Sequence, residues 1–525
     1  MKSGLHFLLS QIILIVFFIS PHLLKAQGIK IDSTFGINGK LIMEDYPFDM
    51  SDDVIVYENG DILFVAADED NTPNGSSLFK INQNGGAVKE FGIDGIVPDV
   101  IDLKSSFVSS IDIQTDGKII VAGTFRNGLN ESAVFITRFD SNGDRDLSYG
   151  IDGISLVEKQ NADLKITSVE IIDDNYLIMA GVIIRNGNSN AVLIKLTPEG
   201  RADTTFGNEG FLIPLFSPTD AAINVKKSDD KKIVFTGYAG DSDGKFLIAK
   251  MNFDGILDKS FNGSGYNIFD ILPGKHCEAF NFAFDQDENI IINGYVLDEF
   301  ITIASAKVSK NGVLDYGFGV EGKMIYKIGP SSFSRSIKSL PDGSCLIFCF
   351  GSVSGQSPYL YDFILLKTDK TGKLDPEFGH QGIFNIDMGY EIDSPTFFAM
   401  NHNDIYLGGY GDNGDNLPGA TFIAKLNLIN ETMDVNYEVK NKTINMYPSA
   451  TDNFVTFYSA QDLDSHCKID IFDVQGKLVS ENCGFADKSV SGLKRQVDVK
   501  NLSPGHYFLR LNRSVDRQVF RFYKY

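Results

Sequence analysis

Tryptophan is absent from this sequence of 525 residues, and histidine, with seven residues, and cysteine, with five, are scarce. An odd and sparse set of cysteines does not make a disulfide framework. Cys345 and Cys349 lie four residues apart in a predicted strand, about 13 Å at ~3.3 Å per residue, which is too far for a disulfide. We expect these two to fill the core, whereas Cys467 and Cys483 could pair.

Basic residues are also in deficit, with 47 Lys and Arg against 69 Asp and Glu, a net charge of −22. The imbalance is not uniform. From residue 438 onward there are 13 basic and 10 acidic residues, so the part before it holds 34 against 59 and a net charge of −25. An acidic surface of this size repels nucleic acid and anionic membranes, so neither is expected as a partner.

Long apolar segments are missing except at the N-terminus. There Lys2 precedes LHFLLSQIILIVFFIS and PHLLKAQ, the charged region, apolar core and less apolar tail of a secretory signal peptide. The apolar stretch is interrupted by Ser10 and Gln11 and is short for a membrane span. We predict an exported protein with a signal peptide at residues 1–27, cleaved near Ala26 or Gln27, and no transmembrane span in the mature chain.

Glycine is plentiful, with 50 residues, and many of these glycines belong to a short phrase that recurs seven times. The phrase is an acidic residue, two further residues, Phe-Gly and a second Gly, with one degenerate copy at residues 88–95. Its aromatic residues follow one another at steps of 55 to 60 residues: Phe35, Phe91, Tyr149, Phe206, Phe261, Phe318 and Phe378. Such a regular period indicates one supersecondary unit copied along the chain.

Two other phrases recur seven times: a turn followed by an apolar run, as in DGKIIVAG, and an apolar strand ending in a basic residue and a turn, as in FITRFDSNG. Short β-branched and aromatic runs bounded by such turns are hairpin signals. One period, residues 95–142, contains the predicted strands GIVPDVID, FVSSIDIQ, KIIVAGTF and AVFITRF. Four antiparallel strands per unit of this length predict the blade of a β-propeller.

The ends of the repeat region are complementary. The last strand phrase, ending near Leu426, lacks a Phe-Gly phrase, and the first Phe-Gly phrase, at Asp32, has no strand phrase before it. Joining the two ends completes seven units. We therefore predict an all-β chain with a closed seven-bladed propeller of four-stranded blades at residues 28–430, with an open solenoid as the alternative. How the strands are arranged at the closure is left open.

We expect the Phe-Gly phrase to be structural. An Asp that opens a tight turn accepts backbone N–H bonds, Gly permits positive φ, and the aromatic ring fills apolar space between blades. The segment DSNGDRD at residues 140–146 alternates oxygen ligands but lacks the EF-hand spacing, so we interpret it as a turn. The repeat-turn residues are Asp32, Phe35, Asp146, Tyr149, Asp203, Phe206, Asp258, Phe261, Asp315, Phe318, Asp375 and Phe378.

On these motifs, the repeats resemble the delta-60 repeat family of bacterial propeller-like proteins over residues 32–430. The resemblance implies the propeller architecture and no particular catalytic activity.

The periodicity stops after residue 430. We predict a linker at residues 431–443 and a small Ig-like β-sandwich at residues 444–525, where alternating strands are separated by Gln-Gly and Pro-Gly turns. This region resembles the type A C-terminal sorting domain of the bacterial type IX secretion system, although Ser449 and Ala450 depart from the usual Tyr-Pro-Asn-Pro motif. The matching residues are Tyr447, Pro448, Asp473, Gly476, Lys477, Leu502, Gly505 and Tyr507.

The resemblance implies a route out of the cell. The type IX secretion machinery would be a partner, and the tail would be removed at the outer membrane. The protein would then be secreted or attached to surface lipopolysaccharide.

For the propeller two functions stay open: a binding or scaffold module for an unknown extracellular ligand, or an enzyme such as a glycosidase or lyase with a site over the central channel. No H-E-x-x-H or G-x-S-x-G motif occurs, and the missing Trp removes the sialidase-type Asp-box and the Trp docking motif of quinone-dependent propeller dehydrogenases. We therefore expect a non-catalytic module without catalytic, cofactor-binding or metal-binding residues.

Residues that break the repeat pattern are where a site would lie. Acids outside the register are Glu44, Asp52, Asp53 and Glu278, which leaves a carboxylate pair for glycoside hydrolysis open. The segments PGKHCEAFNF and GPSSFSRSIKSL are candidate parts of a ligand rim. An exposed His276–Cys277 pair would be of interest, and a buried Cys277 would remove that interpretation.

Overall fold

The computed structural model of the chain describes residues 26–43, 50–66, 76–103, 106–126, 131–240, 243–329, 331–351, 361–390, 392–412, 420–431, 444–447, 450–451, 454–459, 468–473, 477–483, 494–512 and 517–524. The predicted signal peptide, up to residue 25, lies outside the described residues. The chain divides into two compact units, Met1–Thr432 and Met433–Tyr525.

The first unit is built from β-strands and one short 3₁₀ turn, Asp173–Asn175. The strands of its first half are β1 (Ala26–Ile31), β2 (Lys40–Met43), β3 (Met50–Val56), β4 (Ile62–Ala66), β5 (Ser77–Ile81), β6 (Ile96–Val97), β7 (Phe107–Ile113), β8 (Ile119–Arg126), β9 (Ser132–Phe139), β10 (Ile154–Val157), β11 (Asp163–Ile171), β12 (Leu177–Arg185), β13 (Asn188–Leu196) and β14 (Phe211–Leu212). Those of its second half are β15 (Asp220–Lys227), β16 (Ile233–Ala239), β17 (Lys245–Met251), β18 (Tyr266–Phe269), β19 (Cys277–Phe284), β20 (Ile290–Leu297), β21 (Ile301–Val308), β22 (Lys323–Tyr326), β23 (Ser332–Ser339), β24 (Cys345–Gly351), β25 (Asp362–Thr368), β26 (Ile383–Ile386), β27 (Ile392–Asn401), β28 (Asp404–Asp412) and β29 (Ala420–Glu431).

These strands form seven antiparallel sheets, which we number as blades. Blades 1 to 6 are the sheets β3–β6, β7–β10, β11–β14, β15–β18, β19–β22 and β23–β26, and blade 7 contains β27, β28, β29, β1 and β2. The first strand of each blade packs against the first strand of the next, and β27 of blade 7 packs against β3 of blade 1. The predicted all-β fold is confirmed, and the inner strands form a closed ring.

The ring is closed by strands from both ends of the repeat region. Strand β1 pairs along the last residues of β29, from Ala26 with Glu431 to Ile31 with Leu426. Strand β2 pairs with the preceding part of the same strand, from Lys40 with Ala424 to Met43 with Thr421. The N-terminal segment therefore completes a blade that the C-terminal strands begin, so closure takes place within one sheet.

One detail of the predicted unit is wrong. The segment GIVPDVID was read as the first strand of a blade, but β6 pairs with β5 and is the outer strand of the preceding blade. The Phe-Gly phrase turns the chain back on its own sheet, between the third and fourth strands. Each period in space therefore begins about ten residues later than in the sequence reading, at the inner strand.

The apolar core lies between blades. Each buried cluster combines residues of two neighbouring sheets; Leu63 and Val65 of blade 1, for example, pack with Val108 and Ile111 of blade 2. The same arrangement recurs around the ring and includes the contact of blade 7 with blade 1. Cys277, Cys345 and Cys349 are buried free thiols within it.

The second unit contains two sheets. One is ordered β30-β32-β35 and the other β31-β37-β36-β33-β34. Its strands are β30 (Ile444–Tyr447), β31 (Ala450–Thr451), β32 (Phe454–Ser459), β33 (Lys468–Asp473), β34 (Leu478–Cys483), β35 (Lys494–Asp498), β36 (Gly505–Asn512) and β37 (Arg517–Lys524). Cys467 lies outside the described residues, so the possible pairing with Cys483 stays a prediction. Across the described parts of both units, no helix has the length and apolarity needed to cross a membrane.

Candidate functional site

Each of the seven inner strands has an irregularity in its register with the second strand, at nearly the same height in every blade. A β-bulge of this kind bends the strand and re-aims side chains. One residue of each bulge lines a shared central cavity; together they are Asp53, Ser109, Thr167, Ile223, Phe280, Arg335 and Thr396. We call these residues the bulge ring. Unlike the repeat phrases, the ring has no common residue type.

A second ring lies three residues further along each inner strand. Four of its seven positions are ionisable, namely Asp112, Glu170, Lys226 and Lys338, and the other three are Val56, Ala283 and Ala399. Glu170, Lys226 and Lys338 line the same cavity. We call the four ionisable residues the charged ring. Its acids belong to blades 2 and 3 and its bases to blades 4 and 6, so the cavity is polarised across its width.

The acids and Lys226 are held by hydrogen bonds to the next blade. A carboxylate oxygen of Asp112 accepts the N–H of Ile171 at 2.7 Å, and one of Glu170 accepts the N–H of Lys227 at 3.0 Å. The ammonium of Lys226 donates to Asn281 Oδ1 at 3.2 Å and to the Phe282 carbonyl oxygen. These contacts fix the orientation of each side chain and tie neighbouring inner strands together.

Asp53 of the bulge ring is connected to the same network. Its carboxylate accepts the hydroxyl of Ser110 at 2.7 Å, and Ser110 Oγ in turn accepts the N–H of Val169 at 3.1 Å. Blades 1, 2 and 3 are thus linked through one carboxylate and one hydroxyl.

Burial shifts the protonation of these groups toward neutrality. Removal from water raises the pKa of Asp112 to about 6. Burial, reinforced by the charge of Asp112, raises the pKa of Glu170 to about 7. Burial and the charge of Lys338 lower the pKa of Lys226 to about 7. A cavity lined by groups that exchange protons near neutral pH is a candidate site for acid–base chemistry.

The cavity has a volume of about 440 Å³, within the range of ~300–1,000 Å³ typical of small-molecule sites. At one side it is bordered by Tyr238 of β16 and Phe280 of β19. These two belong to a group of polar and aromatic side chains that we call the rim cluster: Tyr238, His276, Glu278, Phe280 and Tyr295. The ring of Tyr295 lies 5.4 Å from that of Phe280, and the ring of His276 lies 6.4 Å from that of Tyr238.

Hydrogen bonds determine the tautomer of His276. Its Nδ1 accepts the backbone N–H of Gly244 at 3.1 Å, so the proton of the neutral ring is on Nε2. Nε2 lies 2.9 Å from Glu278 Oε1 and donates to it. The hydroxyl of Tyr295 also hydrogen-bonds Glu278, and burial raises the pKa of this tyrosine. Glu278 is therefore a carboxylate that accepts from two side chains.

The structure brings together only part of what the sequence singled out. Asp53 and Glu278 lie at the site, while Glu44 and the side chain of Asp52 lie outside the described residues. Cys277 is completely buried, which removes the exposed His276–Cys277 interpretation.

The charged ring was missed, although one signal for it was present. The pattern-breaking segment GPSSFSRSIKSL contains Arg335 and Lys338, and the same offset in other periods gives Asp112, Glu170 and Lys226. A charged residue inside an otherwise apolar strand phrase marks the position.

The aspartates of the Phe-Gly phrases open turns. Asp203, for instance, accepts the N–H of Thr205 at 3.0 Å and its hydroxyl at 2.6 Å, and Asp32, Asp146, Asp258, Asp315 and Asp375 accept the equivalent N–H. In residues 140–146, Asp140 accepts the N–H groups of Asn142 and Asp144, and Asp146 is paired with Arg138 at 2.9 Å.

The aromatic residues of the phrases contact the next blade. The ring of Tyr149 covers Gly200, and the N–H of Gly150 donates to the Glu199 carbonyl at 2.9 Å. The same pairing of an aromatic ring with a glycine of the following blade is formed by Phe35 with Gly85, Phe91 with Gly143, Phe206 with Gly255, Phe261 with Gly312 and Phe318 with Gly372. Phe378 is likewise buried. These contacts support a role in joining blades.

In the second unit, Asp473 and Lys477 close a hairpin turn: the Asp473 N–H donates to the Lys477 carbonyl at 3.0 Å, and Asp473 Oδ1 accepts the Lys477 N–H at 2.9 Å. Tyr507 is 8% exposed and donates its hydroxyl to the Ser503 carbonyl at 2.9 Å. The Leu502 N–H donates to the Val499 carbonyl, and Gly505 begins β36. Tyr447 ends β30, and Pro448 and Gly476 lie outside the described residues.

Two known families match the sequence. The family described as "Secretion system C-terminal sorting domain" matches residues 445–523, and the "Domain of unknown function (DUF5122) beta-propeller" matches residues 114–149. The chain is therefore an exported β-propeller protein. It carries the sorting tail of the type IX secretion system, which directs it to the cell surface or the medium and makes the type IX machinery its partner. Both predicted resemblances are confirmed.

The comparison with curated proteins gives no match. Among solved structures, the chain resembles a polysaccharide lyase, Uly1, at 10% identity over 72% of this chain and 90% of that chain, with a TM-score of 0.44. It resembles AofleA from Arthrobotrys oligospora at 10% identity over 67% and 92% of the two chains, with a TM-score of 0.34. A third is the Trypanosoma rangeli sialidase, at 7% identity over 81% and 85%, with a TM-score of 0.35.

The prediction that the chain is not an enzyme is wrong as stated, because the structures that resemble it include a polysaccharide lyase and a sialidase. Missing sequence motifs are therefore no ground for excluding catalysis in a chain of this kind. Likeness at 10% and 7% identity concerns the fold alone, so it assigns no activity to this chain.

Proposed function

We propose that the propeller is an exported enzyme that cleaves an extracellular polysaccharide over its central cavity by general acid–base catalysis. One observation carries the proposal: Glu170 and Lys226, at the same register position of neighbouring inner strands, both line the cavity, and the pKa of each is about 7. A group whose pKa lies near the ambient pH is the most effective proton donor or acceptor in a transition state.

The two residues suit complementary roles. Near neutral pH a fraction of Glu170 is protonated and donates a proton to the departing glycosidic oxygen. A fraction of Lys226 is neutral and accepts a proton, either from water in a hydrolysis or from the sugar ring in an elimination. Both side chains are oriented by bonds to the next blade, which reduces the reorganisation needed during reaction.

The rim cluster supports a sugar as substrate. The aromatic rings of Tyr238, Phe280 and Tyr295 offer flat apolar surfaces for the C–H faces of a pyranose. Glu278 and His276 provide hydrogen-bonding groups beside them, and Arg335 adds a cation on the bulge ring for an acidic sugar.

The chain without its first 27 residues, incubated with a panel of soluble neutral and acidic polysaccharides, tests the proposal. We expect new reducing ends from at least one polymer, with ultraviolet absorbance of an unsaturated product if the reaction is an elimination. Glu170→Gln and Lys226→Met should each lower the rate by about 100-fold or more.

The matched controls, Glu209→Gln and Lys231→Met, change exposed side chains far from the cavity and should keep the wild-type rate. A polysaccharide that binds the cavity without being cleaved would overturn the proposal in favour of a binding module. Unchanged cleavage by both cavity variants would remove Glu170 and Lys226 from the reaction.

We also propose that the mature product is the propeller of residues 28–430, separated from the tail of residues 444–525 at the linker of residues 431–443, and released or attached to surface lipopolysaccharide. The mass of the surface-exposed protein tests this: a discrete mass without the tail indicates release, and a heterogeneous higher mass indicates attachment. A surface protein that retains residues 444–525 would contradict the proposal.

A further inference from the structure

Three carboxylates converge where blade 6 meets blade 7. Asp362 begins β25, Asp387 follows β26, and Asp393 is the second residue of β27. One oxygen from each lies within 4.8 Å of the others. The residues are far from one another along the sequence and belong to two blades, so no sequence motif announces the cluster.

Asp393 supplies an independent indication of a ligand. The residue is 0% exposed, and its Oδ2 accepts the N–H of Met388 at 2.7 Å. Its other oxygen, Oδ1, is also buried and has no hydrogen-bond partner. A buried carboxylate oxygen without a partner is costly, and native structures rarely keep one without an ion or water to satisfy it.

Asp220 shows how the same position is satisfied elsewhere in the ring. Like Asp393, it lies three residues before the bulge-ring residue of its strand and is 0% exposed. Its Oδ1 accepts the N–H of Ala191 at 2.6 Å, and its Oδ2 accepts those of Phe216 and Ser217 at 2.9 Å. Backbone donors thus satisfy both oxygens in blade 4, whereas in blade 7 one oxygen is left for another partner.

The charges around the cluster leave room for a cation. Asp362 accepts one hydrogen bond, from Asn385 Nδ2 at 2.7 Å, and Asp387 Oδ1 accepts the N–H of Gly389 at 2.7 Å. The nearby Lys40 donates its ammonium to the Asp387 carbonyl at 2.6 Å. Three carboxylates and one ammonium sum to two negative charges. Burial and the charges of Asp362 and Asp387 raise the pKa of Asp393 to about 7, which expresses the same mutual repulsion.

We propose that Asp362, Asp387 and Asp393 bind one calcium ion at the junction of blades 6 and 7. All three ligands are hard oxygen donors, with neither thiolate nor imidazole among them, which favours Ca²⁺ or Mg²⁺ over zinc. The limit of 4.8 Å between oxygens equals twice a Ca–O distance of about 2.4 Å, whereas opposite ligands of Mg²⁺ lie only about 4.2 Å apart. The ion would join the third strand of blade 6 to the inner strand of the blade that closes the ring.

Calcium titration into the chain without its first 27 residues, first stripped with a chelator, tests the site. We expect one Ca²⁺ bound per chain by calorimetry, and a rise of about 2 °C or more in the midpoint of thermal unfolding. Asp393→Asn should abolish both effects. Asp220→Asn, the matched control, changes an equally buried aspartate and should keep the calcium response even if its own unfolding midpoint is lower.

Asp387→Asn alters the exposed member of the cluster and serves if the Asp393 variant does not fold; it too should lose the calcium response. No binding by the wild-type chain, or an equal response in wild type and Asp387→Asn, overturns the proposal. A response to Mg²⁺ as large as that to Ca²⁺ overturns the assignment to calcium. These results are independent of polysaccharide cleavage.

Discussion

The ammonium of Lys195 lies 2.9 Å from a carboxylate oxygen of Asp203, and the pair connects two of the phrases that recur in the sequence. Lys195 ends a third strand, and Asp203 opens the Phe-Gly turn that follows. The same ammonium donates to the Phe253 carbonyl of the next blade at 3.0 Å. Equivalent pairs are formed by Arg138 with Asp146, Lys367 with Asp375 and Lys425 with Asp32. The basic residue and the aspartate of the two phrases therefore form one structural unit.

Asp203→Asn should destabilise the propeller by about 2 kcal/mol, because it leaves the largely buried ammonium of Lys195 without its counter-charge. Chemical denaturation of the wild-type and variant chains measures the difference. Glu209→Gln is the matched control: Glu209 pairs with Lys159 at 3.5 Å, but its side chain is 76% exposed, so a change below about 0.5 kcal/mol is expected. Equal effects of the two substitutions would contradict a special role for the recurring pair.

Gly200→Ala should destabilise the propeller by about 1–3 kcal/mol more than Gly187→Ala. Both glycines have positive φ, +80° and +82°, so the backbone strain of alanine is similar. A Cβ at Gly200 would lie 2.6 Å from the ring of Tyr149, whereas nothing lies within 4 Å of one at Gly187. Denaturation midpoints of the two variants separate the aromatic contact from the strain, and indistinguishable midpoints would show that the contact does not hold the blades together.

The repeat chemistry was predictable because it is local. Asp146 and Arg138 are only eight residues apart, and the turn glycines and aromatic residues lie within one phrase. Their pattern therefore appears in the sequence at every period, and with it the strands, the turns and the need for ring closure. The pairing of both β1 and β2 with β29 was not predictable, because it depends on where the two ends meet in space.

The cavity was less predictable because it is assembled from seven strands about one period apart. Its side chains are selected by bulges, and a bulge depends on the register of two strands rather than on one residue type. Phe280 and Arg335 occupy equivalent positions and share no chemistry. Asp362 and Asp393 illustrate the same difficulty, since they become neighbours only when two blades pack.

Glu170→Gln should gain stability relative to wild type as the pH rises. Burial raises the folded-state pKa of Glu170 from 4.5 to about 7. Its contribution is therefore fully present below pH 4.5 and is lost as the pH rises through about 7, where ionisation of a buried group disfavours the folded state. Between pH 5 and pH 8 we expect the difference in unfolding free energy to move in favour of the variant by on the order of 1 kcal/mol. A difference that is independent of pH would show that Glu170 is not desolvated.

Replacing residues 444–525 by an unrelated folded domain should leave the protein in the periplasm, because the matched sorting domain carries the address for the outer membrane. Cell fractionation and surface labelling measure the outcome, with the unmodified chain as control. Surface display of the exchanged protein at the normal level would contradict the role of the tail.

The pH dependence of polysaccharide cleavage tests the central claim most directly. With Lys226 accepting a proton and Glu170 donating one, each at a pKa of about 7, the rate should be bell-shaped with its maximum near neutral pH. Glu170→Gln should remove the alkaline limb from the residual activity, and Lys226→Met the acidic limb. A wild-type rate that stays constant across neutral pH, or the absence of cleavage of every polymer in the panel, would contradict the account.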